Sequence, residues 1–109
     1  ADLAMWGQCF GGIYDLFKDP EIDEDMIEMG KKLQNKTGSG ATRGMHRFAK
    51  QLSNFGGLEI RKSQGGYTKY FLNKEFVTRI PHSIKADGTA NGIIQDILKF
   101  IQTRKLRRL

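Results

Sequence analysis

Four polar side chains recur at helical intervals in the middle of the chain. They stand at i, i+4, i+7 and i+11, which is the spacing of one helix face. The four are Arg43, Arg47, Lys50 and Asn54. Guanidinium and ammonium groups bind phosphate oxygens, and arginine and asparagine also pair with base edges in the major groove of DNA. Because no acidic residue interrupts residues 41–55, the stripe is suited to binding a polyanion.

Further candidates for contacts with a nucleic acid lie beside this stripe or follow it. On the same segment they are Thr42, His46 and Gln51. Within residues 57–73 they are Arg61, Lys62, Gln64 and Lys69. We expect arginines to pair with guanine or phosphate, amides with adenine, and lysines with the backbone. If about six of these cations meet phosphates, the logarithm of the affinity falls with the logarithm of salt concentration at a slope of about −5.

No residue pattern in the chain predicts catalysis. His46, His82 and Cys9 lack the spacing of a zinc site. Residues 38–44 superficially resemble a phosphate-binding loop, but the Gly-Lys-Ser/Thr ending and a preceding strand are missing. The acids of residues 19–28 could belong to a metal-dependent nuclease, yet they fit the charged start of a helix better. We therefore predict neither an enzyme nor a metal site, and no cofactor.

Charge is divided unevenly along the chain. Residues 1–30 carry eight acidic side chains and one basic one, whereas residues 31–109 carry seventeen basic and four acidic ones. A basic body with an acidic leading segment indicates a polyanionic partner. The apolar fraction of 39%, with seven Phe, three Tyr and one Trp, suffices for the core of one domain of 109 residues.

Cysteine usage and hydropathy indicate the compartment. Cys9 is the only cysteine, so an internal disulfide is excluded and a reducing compartment fits best. No apolar run approaches the roughly 18 residues of a membrane span, and no signal peptide is evident. We therefore expect no membrane partner and a cytoplasmic or nucleoid-associated protein.

Helix signals dominate the first half of the chain. Residues 3–17 predict a first helix rich in aromatic side chains. Asp19 and Pro20, as N-cap and first helical residue, predict a second helix that continues to a tight polar turn over residues 36–40. Residues 41–55 predict a third helix with one apolar face. That face consists of Ala41, Met45, Phe48, Ala49, Leu52 and Phe55.

Strand signals follow in the second half. Residues 58–62 alternate apolar and polar side chains, residues 63–66 form a turn, and residues 67–72 return as a strand. These segments predict an antiparallel hairpin with a basic tip. The remaining segments are expected to be a connection, a loop and a final helix, over residues 73–81, 82–90 and 91–107.

The order of helix, tight turn, basic helix and basic hairpin over residues 21–72 resembles that of winged helix-turn-helix DNA-binding domains. In that family the second helix enters the major groove, and the hairpin lies against the backbone or the minor groove. The resemblance implies that residues 41–54 are the recognition helix and residues 58–72 the wing. The strand that most winged helices carry before the recognition helix is not evident here.

The segment from Thr42 to Tyr67 is also similar to the C-terminal modules of plasmid and phage replicative helicase-type ATPases. Residues 2–7 resemble the end of the motor that precedes such modules. This second resemblance implies a possible partner, namely an ATPase motor domain.

The sequence thus predicts an α+β fold, a single winged helix-turn-helix domain with three or four helices and a β-hairpin wing of two or three strands. Its parts are an N-terminal helix, the helix-turn-helix, the wing and a C-terminal helix, over residues 1–20, 21–55, 57–73 and 91–107. The predicted function is to grip duplex DNA during replication or transcription control in a mobile element or microbe.

Two alternatives stay open. In the first, the chain is a protein-interaction or assembly module, whose acidic first segment and Trp6/Phe10 face dock on an ATPase or on a second subunit. In the second, the chain binds RNA, because a basic wing can grip an A-form backbone by its shape.

Overall fold

The computed structural model describes residues 12–109, and in this range the chain is α+β, with four α-helices and one three-stranded antiparallel sheet. The helices are α1 Gly12–Phe17, α2 Glu24–Leu33, α3 Ser39–Lys50 and α4 Asp87–Arg104, and a 3₁₀ turn, Gln51–Asn54, follows α3. The strands are β1 Leu58–Lys62, β2 Tyr67–Leu72 and β3 Glu75–Pro81. The predicted α+β class is confirmed.

Several predictions concern residues 1–11, which lie outside the described residues. They are the first part of the N-terminal helix, the Trp6/Phe10 docking face, the resemblance of residues 2–7 to a motor end, and Cys9.

The second helix begins four residues later than predicted, because Asp23 and not Asp19 is its N-cap. The Asp23 carboxylate accepts hydrogen bonds from the backbone amides of Asp25 and Met26, at 3.1 and 3.3 Å. Asp19 instead closes a short turn by accepting from the amide of Glu21 at 2.9 Å. Both aspartates suit a cap, and the one nearer the apolar residues of the helix takes that position.

The apolar face predicted for the third helix is confirmed. Met45, Phe48 and Ala49 are completely buried on one side of α3, and Leu52 of the 3₁₀ turn continues that side. Gly38, with φ of 94°, precedes the helix as its N-cap and has no side chain to cap it. Ser39 is the first residue of the helix.

The connection predicted over residues 73–81 is wrong, because this segment forms β3. Asn73 and Lys74 make a two-residue turn with φ of 52° and 71°, the backbone conformation of a type I′ hairpin. The Asn73 amide donates to the Gly57 carbonyl at 2.8 Å, and the Gly57 amide donates to Asn73 Oδ1 at 3.0 Å. These two bonds tie the turn to the start of β1, and the sheet has the order β1-β2-β3.

The sheet has one covered and one open face. On the inner face Tyr70, Leu72 and Ile80 are completely buried against the helices. Paired residues of adjacent strands point to the same face, and successive residues of one strand point to opposite faces. The residues that alternate with the buried ones along each strand therefore form the outer face. Every residue of β1 and β2 on that outer face is exposed or half-buried.

The final helix is longer at its start than predicted, since α4 begins at Asp87 and not at residue 91. Its stripe of Ile94, Ile97, Leu98 and Ile101 is buried as expected. Burial of Ala90 extends the packed stripe one turn further toward the N-terminus, which outweighs the weak helix propensity of Gly88. No helix within residues 12–109 combines the length and apolar character that crossing a bilayer requires.

Candidate nucleic-acid interface

An open groove of about 760 Å³ lies between α3 and the β1–β2 hairpin. From α3 it is lined by Arg43, His46, Arg47 and Lys50. From the hairpin and the segment after β3 it is lined by Ile60, Lys62, Ser63, Gly66, Tyr67, Thr68, Tyr70 and His82. No aspartate or glutamate of the described part of the chain lines this groove, so its fixed charges are all positive.

The helical wall of the groove is built by the two-sided pattern of α3. Because Met45 and Phe48 anchor one side of the helix in the core, Arg43, Arg47 and Lys50 stand exposed on the other. Within residues 12–109 none of these three cations is ion-paired with a carboxylate. Three adjacent unpaired cations give this wall a positive potential that a polyanion would neutralise.

His46 and Tyr70 form the floor of the groove. His46 Nδ1 and the Tyr70 hydroxyl are hydrogen-bonded at 2.6 Å. Burial raises the pKa of Tyr70 to about 12, so the phenol keeps its proton. Burial, together with the positive charges of Lys50 and Lys62, lowers the pKa of His46. The imidazole is therefore neutral at pH 7, and the phenol can donate to its ring nitrogen.

The hairpin contributes fewer cations to the groove than predicted. Of the predicted hairpin residues, Lys62 lines the groove, and Gln64 lies exposed at the hairpin tip outside it. Arg61 and Lys69 are directly paired across β1 and β2 on the outer face. Arg61 is ion-paired with Glu59 there. An alternating strand sends neighbouring side chains to opposite faces, so one hairpin cannot aim Arg61 and Lys62 at the same ligand surface.

Thr42 lies on the side of α3 that packs into the fold. It is 8% exposed. Its hydroxyl donates to the Gly38 carbonyl at 3.0 Å and accepts from the Ile84 amide at 3.1 Å. Because these bonds tie the segment after β3 to the start of α3, we leave Thr42 out of the interface.

Gln51 and Asn54 also lie outside the groove. The helix tightens into the 3₁₀ turn after Lys50, which takes Asn54 out of the predicted stripe. The Asn54 side-chain amide donates to Gln51 Oε1 at 3.2 Å, and the Asn54 backbone carbonyl accepts from the Leu109 amide at 2.8 Å. Asn54 thus holds the C-terminus of the chain.

Sequence reasoning did not assign Thr68, Tyr70 and His82 to the site. The alternation of β2 contains a usable signal, since Thr68 and Tyr70 share the face of the buried Leu72. His82 reaches the groove because β3 returns alongside β2, and this strand was not predicted.

The acidic leading segment, as far as the structure describes it, is held away from the groove. The Arg108 guanidinium bonds to Asp23 and lowers the pKa of that carboxyl. Gln102 Nε2 donates to Asp19 at 2.8 Å and lowers the pKa of that carboxyl too. Both partners lie at the C-terminal end of the chain, so these carboxylates do not neutralise Arg43 or its neighbours.

The candidate site is therefore a positively charged groove between an exposed helix face and a hairpin. Comparisons of the chain with protein-family models, with curated protein sequences and with solved structures found no significant match.

Proposed function

We propose that this chain is a winged-helix module that binds duplex DNA, with α3 as the recognition helix and the β1–β2 hairpin as the wing. The observation that carries the proposal is the exposed cationic side of α3 along a groove without acids. Cations arranged in this way, without carboxylate partners among residues 12–109, are suited to phosphates and to guanine edges.

The dimensions of α3 support the major groove as its binding site. A helix of 12 residues is about 18 Å long. The major groove is about 12 Å wide and accepts one helix along its floor. Arg43 and Arg47 stand one turn apart on the exposed side, where each could pair with a guanine or a phosphate, and Lys62 would meet the backbone from the wing.

The order of elements supports the same family. Helix α2, a tight turn, α3 and a basic hairpin follow one another as in winged helices. The third strand differs from the usual arrangement, because β3 follows the hairpin, and no strand within residues 12–109 precedes α3. In this chain β3, which pairs with β2, would take the place of the strand that usually precedes the recognition helix.

The proposal predicts that Arg47→Ala combined with Lys50→Ala weakens binding to a labelled duplex at least about tenfold. The loss is expected because two of the four cations of the groove are removed. Fluorescence anisotropy measures the affinity, and thermal unfolding confirms that the double variant is folded. Lys31→Ala combined with Lys32→Ala is the matched control, since it removes the same charge from exposed positions on α2 outside the groove.

Salt dependence is a second readout of the same experiment. With four cations lining the groove, the logarithm of the affinity should fall with the logarithm of salt concentration at a slope of about −4. Unchanged affinity in the α3 double variant would remove this helix from the interface. Preferential binding of structured RNA would indicate an RNA-binding module instead. A concentration-dependent mass without any DNA binding would indicate an assembly module.

A further inference from the structure

The outer face of the sheet carries a row of three cations. The strand register pairs Arg61 with Lys69, and Lys69 with Arg79, so the three side chains stand side by side across β1, β2 and β3. Like charges directly opposite one another destabilise a sheet. Glu59 pairs with Arg61, whereas Lys69 and Arg79 have no carboxylate partner among the described residues. This arrangement weakens the sheet on its own and becomes favourable when an anion neutralises it.

Aromatic rings lie on the same face, next to the cations. Phe76 is 50% exposed and Tyr67 is 40% exposed, although apolar rings of this size usually pack against another element. The Arg79 guanidinium lies 4.9 Å from the centre of the Tyr67 ring. Phe71 is half-buried, and its ring centre lies 5.6 Å from that of Phe76.

A second cation of the row is also stacked on a ring. The Arg61 guanidinium lies 4.5 Å from the centre of the Phe71 ring. Arg61 Nε is bonded to Glu59, and the other N–H groups of the stacked guanidinium can bind an anion. The outer face is thus a flat surface on which exposed rings alternate with positive charges.

We propose that the outer face of the sheet binds single-stranded nucleic acid. Unpaired bases would stack on Phe76 and Tyr67, and the phosphates would follow the row of Arg61, Lys69 and Arg79. Single-stranded nucleic acid is the occupant because it presents both features together, flat rings and regularly spaced anions. In a duplex the faces of the bases are already stacked on one another, so the exposed rings would have no partner.

The two surfaces share an edge at Tyr67, which also lines the groove, whereas Lys69, Phe76 and Arg79 lie outside the groove. The inference does not rest on the proposed function. The groove belongs to the inner side of the hairpin, where Lys62 and Tyr70 lie, whereas Lys69 and Phe71 point the other way. A chain with both surfaces would hold a duplex on one side of the wing and a separated strand on the other.

The experiment measures binding of three labelled probes by fluorescence anisotropy. The probes are a thymidine oligonucleotide of about 12 residues, an abasic phosphodeoxyribose strand of the same length, and a duplex. The variant is Lys69→Ala combined with Phe76→Ala, at two exposed positions. The matched control is Arg47→Ala combined with Lys50→Ala in the groove. Thermal unfolding confirms that each variant is folded, and Lys69→Glu is a second, single-site variant of the outer face.

We expect the sheet variant to weaken thymidine binding at least about tenfold and duplex binding less than about twofold. The groove variant should weaken duplex binding at least about tenfold and thymidine binding less than about twofold. The abasic strand should bind at least about fivefold more weakly than the thymidine strand, because base stacking is lost. Lys69→Glu, which reverses one charge of the outer face, should also weaken thymidine binding.

Three results would overturn the inference. The first is the absence of thymidine binding at protein concentrations of about 100 μM. The second is thymidine binding that only the groove variant reduces. The third is self-association that Phe76→Ala abolishes while binding of the thymidine strand is unaffected, since the face would then join two copies of the chain. In each case binding of the duplex in the groove is judged separately by the groove variant.

Discussion

His46 makes the charge of the groove depend on pH. Its pKa is lowered by burial and by the positive charges of Lys50 and Lys62. A lowered pKa in the folded state means that the unfolded state binds the proton more readily. The stability associated with the neutral imidazole is therefore complete above about pH 6.5 and is lost as the pH falls below that value. A bound polyanion acts in the opposite direction, because it favours the protonated ring.

We therefore predict that duplex affinity rises as the pH is lowered below about 6.5, while the free protein becomes less stable to heat. His46→Gln, which cannot take up the proton, should remove most of both effects. His82→Gln removes the other imidazole that lines the groove and is the matched control. An equally steep pH dependence in His46→Gln would show that His46 is not the group that titrates.

At the scale of single residues, the sequence could predict which side chains line the helical wall of the groove but not which line the hairpin wall. The spacing of Arg43, Arg47 and Lys50 sufficed because α3 is regular and its opposite face is strongly apolar. On the hairpin every second residue faces away, so basic composition alone cannot separate Lys62 from Arg61. Which side chains meet in the groove depends on the strand register.

The β2–β3 turn shows why one element was not predicted. Asn73 and Lys74 lack the glycine that usually marks a type I′ turn. A register shift between Tyr70 and Phe71 then breaks the alternation, so that Val77 and Thr78 are both buried in succession. A pattern of period two was therefore absent from a segment that is nevertheless a strand. The helices were easier to predict, because their apolar stripes persist over several turns.

Two substitutions in the same turn are predicted to change the stability of the protein in opposite directions. Lys74 has φ of 71°, and this backbone conformation strains the folded state of a residue with a side chain by about 1–2 kcal/mol. A glycine avoids this strain, but its greater freedom in the unfolded chain lowers stability by about 0.4–1 kcal/mol. Lys74→Gly should therefore raise the free energy of unfolding by about 0.5 kcal/mol. Asn73→Ala should lower it by about 0.5–1.5 kcal/mol, because the exposed Gly57 amide loses the acceptor that lies 3.0 Å away.

Urea unfolding of both variants checks this prediction. Destabilisation by Lys74→Gly would mean that the turn does not have the left-handed conformation at this position. No loss in Asn73→Ala would mean that the bond from Gly57 does not stabilise the start of β1.

At the scale of the whole molecule, the fold keeps the acidic side chains of the leading segment apart from the cations of the groove. The acids Asp19 and Asp23 are held by Gln102 and Arg108 at the C-terminal end of the chain. Four cations line the groove along α3, and three others stand on the outer face of the sheet. Neither surface is visible in the net charge of +6, since both arise from where the helix and the strands point their side chains.

The most direct test of the account is to map the backbone amide signals of the protein by NMR while a duplex of about 15 base pairs is added. We predict that the largest changes occur along α3, around Lys62 and near His82, the residues that surround the groove. Large changes confined to α2 and α4, with α3 unaffected, would contradict the assignment of α3 as the helix that meets the nucleic acid.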